Sequence, residues 1–167
     1  MFKTITMVKS KYNQTAKVYN DRYRDTQFDK YRIMLSGITL KGKILDHGCG
    51  TGLLSEFLGG DNFTGCDSSK EMLKIRGSGD LCNVEKLPYG NDSFDIVISF
   101  SVLMNCKKPE AALLEVKRVL KKDGTFVCTF LKHFGKKLKP LLQKHFKINL
   151  ETDCGEDIGF VCKIPKL

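Results

Sequence analysis

Residues 44–52, Ile-Leu-Asp-His-Gly-Cys-Gly-Thr-Gly, constrain this chain more than any other stretch. Ile44 and Leu45 close a short apolar run bounded upstream by Lys41, Gly42 and Lys43, the pattern of a buried strand. Asp46 ends it. Gly48, Gly50 and Gly52 follow at alternate positions, a backbone able to turn tightly and approach a ligand with no Cβ in the way. Leu53 to Leu58 then continues as a helix. A strand, an acid, a glycine turn and a helix are the start of an α/β unit with a ligand at the turn.

The spacing bears on which ligand. A dinucleotide fingerprint, G-x-G-x-x-G, seats a pyrophosphate on a helix N-terminus, whereas this chain reads D-x-G-x-G-x-G and lacks the second gap. Asn62 to Asp67 reads as a second strand ending in an acid, Asp67. An acid there can accept hydrogen bonds from both hydroxyls of a ribose. Further on lie Asn83-Val84-Glu85-Lys86-Leu87-Pro88-Tyr89, a fourth strand at Phe94 to Phe100, and Ser101 to Cys106. An amphipathic helix over Glu110 to Leu120, opened by Pro109, precedes a Lys-Lys-Asp-Gly turn and a fifth strand.

In this order the motifs resemble those of the class I S-adenosylmethionine (SAM) dependent methyltransferases, of the methyltransferase 11 or ubiquinone/menaquinone-biosynthesis-like type. Residues 46–52 resemble motif I. Asn83 to Ser99 is similar to "D-A-E-x-L-P-F-x-D-x-S-F-D-x-V", with Asn83 in place of the acid, and Glu115 to Gly124 resembles "E-x-x-R-V-L-K-P-G-G". The resemblance runs from about Tyr12 to Phe130. It implies a Rossmann-like α/β sandwich: a mostly parallel seven-stranded sheet, a final antiparallel hairpin, and a minimal third-strand region. It also implies SAM as cofactor, held by Asp46, Gly48, Cys49, Gly50, Gly52, Asp67, Asn83, Val84 and Ser99. The family's usual "V-L-H-H" histidine is absent from Ser101 to Cys106.

The rest of the chain is expected to be economical. One domain is expected over 1–167, with a helical lid at 1–40 and a cofactor-binding core at 41–167. A short helix should span Ser69 to Arg76, the third strand should be a stub near Leu81, and a helix should span Leu138 to Phe146. Ile148 to Leu150 and Ile158 to Ile164 should form the hairpin. In the lid, Tyr12, Ala16 and Tyr19 share one helix face; the tyrosines either close over the sulfonium or only pack. No catalytic residue is assigned. His133, near the expected substrate edge, and Tyr12 are the candidates; His47 reads as structural and His145 as packing.

Seven cysteines without a C-x-x-C pair read as buried reduced thiols, and no metal is expected. No apolar run approaches membrane-spanning length and Met-Phe-Lys-Thr-Ile lacks a signal-peptide core, so a cytoplasmic chain without stable membrane insertion is expected. The net charge is +9, and ten Lys/Arg against three acids fall in residues 1–43, with six Lys and no acid in 124–150. Two basic segments flanking the nucleotide centre would steer an anionic acceptor, such as a nucleic acid or a phosphorylated small molecule; a lysine-rich solvated surface is the plainer account. A protein partner is possible. A catalytically silent SAM-binding or partner-binding domain is the alternative to an enzyme, and a nicotinamide-dependent oxidoreductase is a further rival.

Overall fold

A computed structural model describes residues 3–60 and 62–166, and Ala16 alone of the first seventeen side chains. Among the described residues, seven strands form one sheet in the order β3-β2-β1-β4-β5-β7-β6. They are β1 (Ile44–His47), β2 (Thr64–Asp67), β3 (Asp80–Leu81), β4 (Phe94–Phe100), β5 (Leu120–Leu131), β6 (Lys147–Cys154) and β7 (Asp157–Lys163). Strands β1 to β5 pair in parallel, while β7 runs antiparallel to both β5 and β6. The architecture is the Rossmann-like methyltransferase sandwich expected from the motifs.

The described helices that cover the sheet are α1 (Lys3–Leu35), α2 (Leu53–Leu58), α3 (Lys70–Arg76), α4 (Pro109–Val119) and α5 (Gly135–His145). Strand alternation divides the core in two. Leu45, Val97, Phe126, Cys128 and Phe160 point to one face, where Leu113 and Val116 of α4 and Leu138 and Leu142 of α5 meet them. Ile44, Ile96 and Ile98 point to the other, against Tyr31 of α1 and Leu53 and Leu54 of α2. Right-handed parallel crossovers dictate this split, because the chain leaves β1 outward to β2 and β3 and then returns past β1 to β4. The reversal between β1 and β4 opens a crevice at the carboxyl ends of the central strands, where open α/β sheets bind ligands.

Three local readings are corrected. Lys121 to Gly124, expected as a turn ahead of the fifth strand, lies within β5 as a bulge: Phe94 pairs with Leu120, but Ile96 pairs with Thr125. The buried Leu120 side chain, against which Gly124 sits, keeps the chain in the sheet through the insertion. Helix α5 starts at Gly135 rather than Leu138, straight after a 3-10 turn at Lys132–Phe134, although Pro140 lies inside it. β6 spans eight residues, mostly exposed, so its edge position left little apolar alternation to read. In the segment expected as a lid, the second half of α1 packs on the sheet, with Gln27 and Lys30 buried. Tyr31 and Met34 are buried, and Met34 lies against Gly159 of β7, where a Cβ would strike its sulfur.

Candidate functional site

A cavity of about 680 Å³ opens over the carboxyl ends of β1, β2 and β4. Gly48 and Gly50 form its floor, Asp67, Ser68 and Ser69 one side, and Cys82 to Glu85 the far end. Tyr19, Phe100, Ser101, Val102 and Asn105 form the near end. Such a volume lies within the range of small-molecule and cofactor sites.

The glycine loop is fixed by backbone bonds. Gly48 and Cys49 both donate to the carbonyl of Cys66, at 2.8 and 2.9 Å. Gly48 and Gly50 have φ of 78° and 53°, and a Cβ at Gly50 would meet nothing within 4 Å, so its backbone faces open space. The N–H of Gly50 donates to Oδ2 of Asp67 at 2.9 Å, and that of Ser69 to Oδ1 at 2.8 Å. Asp67 thus ties the first strand's loop to the turn after the second, and each carboxylate oxygen keeps lone-pair capacity for a further donor. Burial pushes its carboxyl above the usual range, while these N–H groups pull it back.

Around Asn83 the chain makes its own turn. Oδ1 of Asn83 accepts from Glu85 N at 2.9 Å, and its carbonyl from Lys86 N at 2.8 Å. Oε1 of Glu85 in turn accepts from the N–H groups of Lys107 and Lys108, closing the rim against the segment after β4. Behind this turn, Oε2 of Glu115 accepts from Leu87 N at 2.7 Å, and Arg118 donates to the carbonyls of Leu87 and Tyr89 at 3.2 and 2.7 Å. Glu115 and Arg118 also pair with each other, which lowers the carboxyl of Glu115 and raises the guanidinium of Arg118. The E-x-x-R run on α4 is therefore the clamp that holds the Leu-Pro-Tyr loop beside the cavity.

His47 is fully buried under the glycine loop. Its Nε2–H donates to the carbonyl of Val84 at 3.2 Å, which leaves Nδ1 to accept from the Ser99 hydroxyl at 2.9 Å. Burial lowers its pKa to about 4, so the ring is neutral at pH 7.

The expected site residues separate accordingly. Gly48, Gly50, Asp67, Asn83 and Val84 line the main cavity. Asp46 and Cys49 line a smaller recess between α1 and the loop, with Gln27, Tyr31 and Thr51. Burial pushes the Cys49 thiol well up, away from thiolate reactivity. Gly52 caps α2 with φ 88° beneath the Arg76 side chain, and Ser99 is fully buried on His47. Neither lines the cavity. His133 is exposed beside Phe134 and also away from the cavity, because the chain turns outward into α5 after β5. His145 is held by Glu110 at 2.8 Å. The side chain of Tyr12 lies outside the described residues.

Sequence reading missed a buried polar cluster at the cavity's near end. Nζ of Lys30 on α1 donates to Oδ2 of Asp157 at 2.9 Å and to the Ser101 hydroxyl at 2.8 Å. Ser101 and Thr129 each donate to the same Asp157 oxygen at 2.9 Å. Lys30 and Asp157 are 5% and 2% exposed. No local pattern could have paired residues 127 positions apart. Nor does either residue stand out locally, since Lys30 lies between Asp29 and Arg32 and Asp157 follows Glu156.

Residues 45–128 match the family model described as "Methyltransferase domain". The chain belongs to this family. An uncharacterized protein of Methanocaldococcus jannaschii is 36% identical over 149 residues, covering 84% of this chain and 59% of that one. The ubiquinone/menaquinone biosynthesis C-methyltransferase UbiE of Desulfotalea psychrophila is 29% identical over 117 residues, covering 63% and 48%. The chain thus spans roughly half the length of these curated relatives. Among solved structures, the 1,6-didemethyltoxoflavin-N1-methyltransferase of Burkholderia thailandensis, bound to its substrate and S-adenosylhomocysteine (SAH), superposes with a TM-score of 0.76 at 17% identity. That superposition covers 95% of this chain and 88% of the other, and the shared feature is the fold. No helix among the described residues is long and apolar enough to cross a membrane.

Proposed function

We propose that this member of the methyltransferase family binds SAM in the 680 Å³ cavity and transfers its methyl group to an acceptor at the end nearest β4. The observation that carries the reading is Asp67, presented to the cavity between two backbone N–H groups and level with the open backbone of Gly50. Its spare lone pairs suit the two ribose hydroxyls, the glycine loop suits the amino-acid end, and the Asn83–Lys86 turn suits the adenine. Asn83 presents an amide there in place of the family's acid, its Oδ1 already accepting from Glu85.

SAM supplies a methyl group already activated by its sulfonium, so the chain's part is to bind, align and exclude water. Tyr19 and Phe100 offer aromatic faces to a sulfonium at the near end. No histidine lines the cavity, which favours an acceptor that needs no strong base. Among the described residues Lys107 is the cavity's one lysine, and it stands at the end beside Glu85; this supports an uncharged acceptor group over an anionic one.

Calorimetry with SAM and SAH tests the cofactor. The folded protein should bind both, and Asp67→Ala should weaken binding by about 100-fold or more, the loss of two hydrogen bonds to a charged acceptor. Absent binding, or binding indifferent to Asp67→Ala, refutes the reading. Transfer of tritiated methyl into RNA, protein and small-molecule fractions then tests the activity. Binding without transfer to any of them would favour the second reading, a silent SAM-binding domain, to which the Asn83 substitution also points.

A further inference from the structure

Ser101 stands where β4 ends at the cavity, in a left-handed conformation, φ 59°, that non-glycine residues rarely adopt. Its backbone is pinned there: the N–H donates to the carbonyl of Thr129 at 3.0 Å, and the carbonyl accepts from Nδ2 of Asn105 at 2.9 Å. Its hydroxyl has equally little freedom. The single proton goes to Oδ2 of Asp157, and one of the two lone pairs takes an N–H from Lys30. With the hydroxyl bonded as observed, its proton is committed to Oδ2 of Asp157, which Lys30 and Thr129 also serve as donors. What Ser101 can offer a ligand is therefore one lone pair and no proton.

Taking the methyltransferase reading as its basis, we propose that Ser101 accepts a hydrogen bond from an N–H of the methyl acceptor, and that the acceptor is a neutral amine whose lone pair is available for attack. A carboxylate, thiolate or phosphate finds no proton on Ser101, and the Lys30–Asp157 pair behind it is internally compensated and offers no net positive charge to hold an anion. An alcohol could donate to Ser101 but would need a base to become nucleophilic, and no histidine lines the cavity. A neutral nitrogen needs none. Its lone pair forms the new C–N bond as the C–S bond breaks and that electron pair passes to sulfur; the cationic product then releases its extra proton to water. Lys30 and Asp157 act as positioning residues, holding the hydroxyl with its free lone pair available.

The test needs no knowledge of the acceptor. Sinefungin is a SAM analogue in which an amine-bearing carbon replaces the methylated sulfur, so it presents N–H donors where the methyl group would leave. SAH presents none. Calorimetry on the full chain should show sinefungin binding about tenfold more tightly than SAH, the value of one good hydrogen bond. Ser101→Ala and Ser101→Gly should each abolish that preference and leave SAH affinity within about twofold. The glycine variant suits the left-handed backbone at this position and guards against misfolding of the alanine variant. SAH binding with no sinefungin preference in the wild type, or a preference that survives both substitutions, overturns the assignment to Ser101 alone. Absence of binding by either ligand overturns the cofactor reading and this proposal with it.

Discussion

Burial keeps the His47 ring neutral, and that neutrality lets one nitrogen donate to Val84 while the other accepts from Ser99. The same fact sets a pH dependence. The unfolded chain protonates His47 near 6.5, whereas the folded protein does so only near 4. Between those values the unfolded state binds more protons, so stability falls as pH drops through that window and is fully present only above it. The loss contributed by this ring should reach about 3 kcal/mol at pH 4. Urea melts at pH 7 and pH 4.5 should show a decrease for the wild type that exceeds that of His47→Gln by roughly 2 to 3 kcal/mol; equal decreases would place the ring's titration elsewhere. At this scale the sequence was legible where chemistry is local. The glycine spacing and the acid after the second strand are near neighbours in the chain and face one cavity. Ser99 was not readable, because a serine at a strand's end looks the same whether it faces a ligand or a buried histidine.

Helix α1 shows why an element's type was legible while its role was not. Its helical character follows from an uninterrupted run without Pro or Gly over Lys3–Leu35. The sequence could not reveal that its second half is fastened to the glycine loop, to α2 and to β7: Asn20 bonds to Thr51, Arg24 to Glu56, and Lys30 to Asp157. The Arg24–Glu56 pair is exposed and contributes little. The third is buried, and removing one member strands the other's charge, so Lys30→Met should cost about 3 to 5 kcal/mol. Replacing both in Lys30→Met/Asp157→Leu should recover more than half of that loss, although the hydroxyls of Ser101 and Thr129 lose their acceptor. A double-mutant cycle by chemical denaturation checks this; additive losses would show that the pair is not coupled. The α4 clamp works in the same way at a second junction. Arg118→Ala should weaken SAH binding about threefold or more by loosening the Leu87–Tyr89 loop, without touching the cavity, as calorimetry can measure.

For the whole molecule, the order of motifs along the chain carried the sheet topology, because parallel crossovers have one hand and leave few arrangements. Charge was the poorer guide. Of the two lysine- and arginine-rich segments that flank the nucleotide centre in sequence, the first borders the cavity through Tyr19 of α1, whereas α5 packs against the opposite face of the sheet. No residue of 132–150 lines the cavity. The C-terminal segment is also compensated, since Lys132 faces Asp153 at 2.7 Å, Lys139 faces Glu151 at 2.6 Å, and Lys144 faces Glu110 at 2.8 Å. A basic face of this kind keeps a protein soluble and attracts polyanions weakly, but it does not focus a field on the mouth of a site elsewhere. Exposed charges more than a Debye length from the cavity, about 8 Å at physiological salt, are screened from it. Reversing Lys136 and Lys137, both on α5, should therefore leave SAH affinity within about twofold of the wild type at low and at moderately high NaCl. Binding of a short oligouridylate by the same protein should instead weaken on charge reversal, with a salt slope of no more than about 2 for the few phosphates this face can reach. A steep salt dependence of SAH binding that disappears with Lys136→Glu and Lys137→Glu would show that the field of α5 does reach the cavity and would restore electrostatic steering as part of how the site is filled.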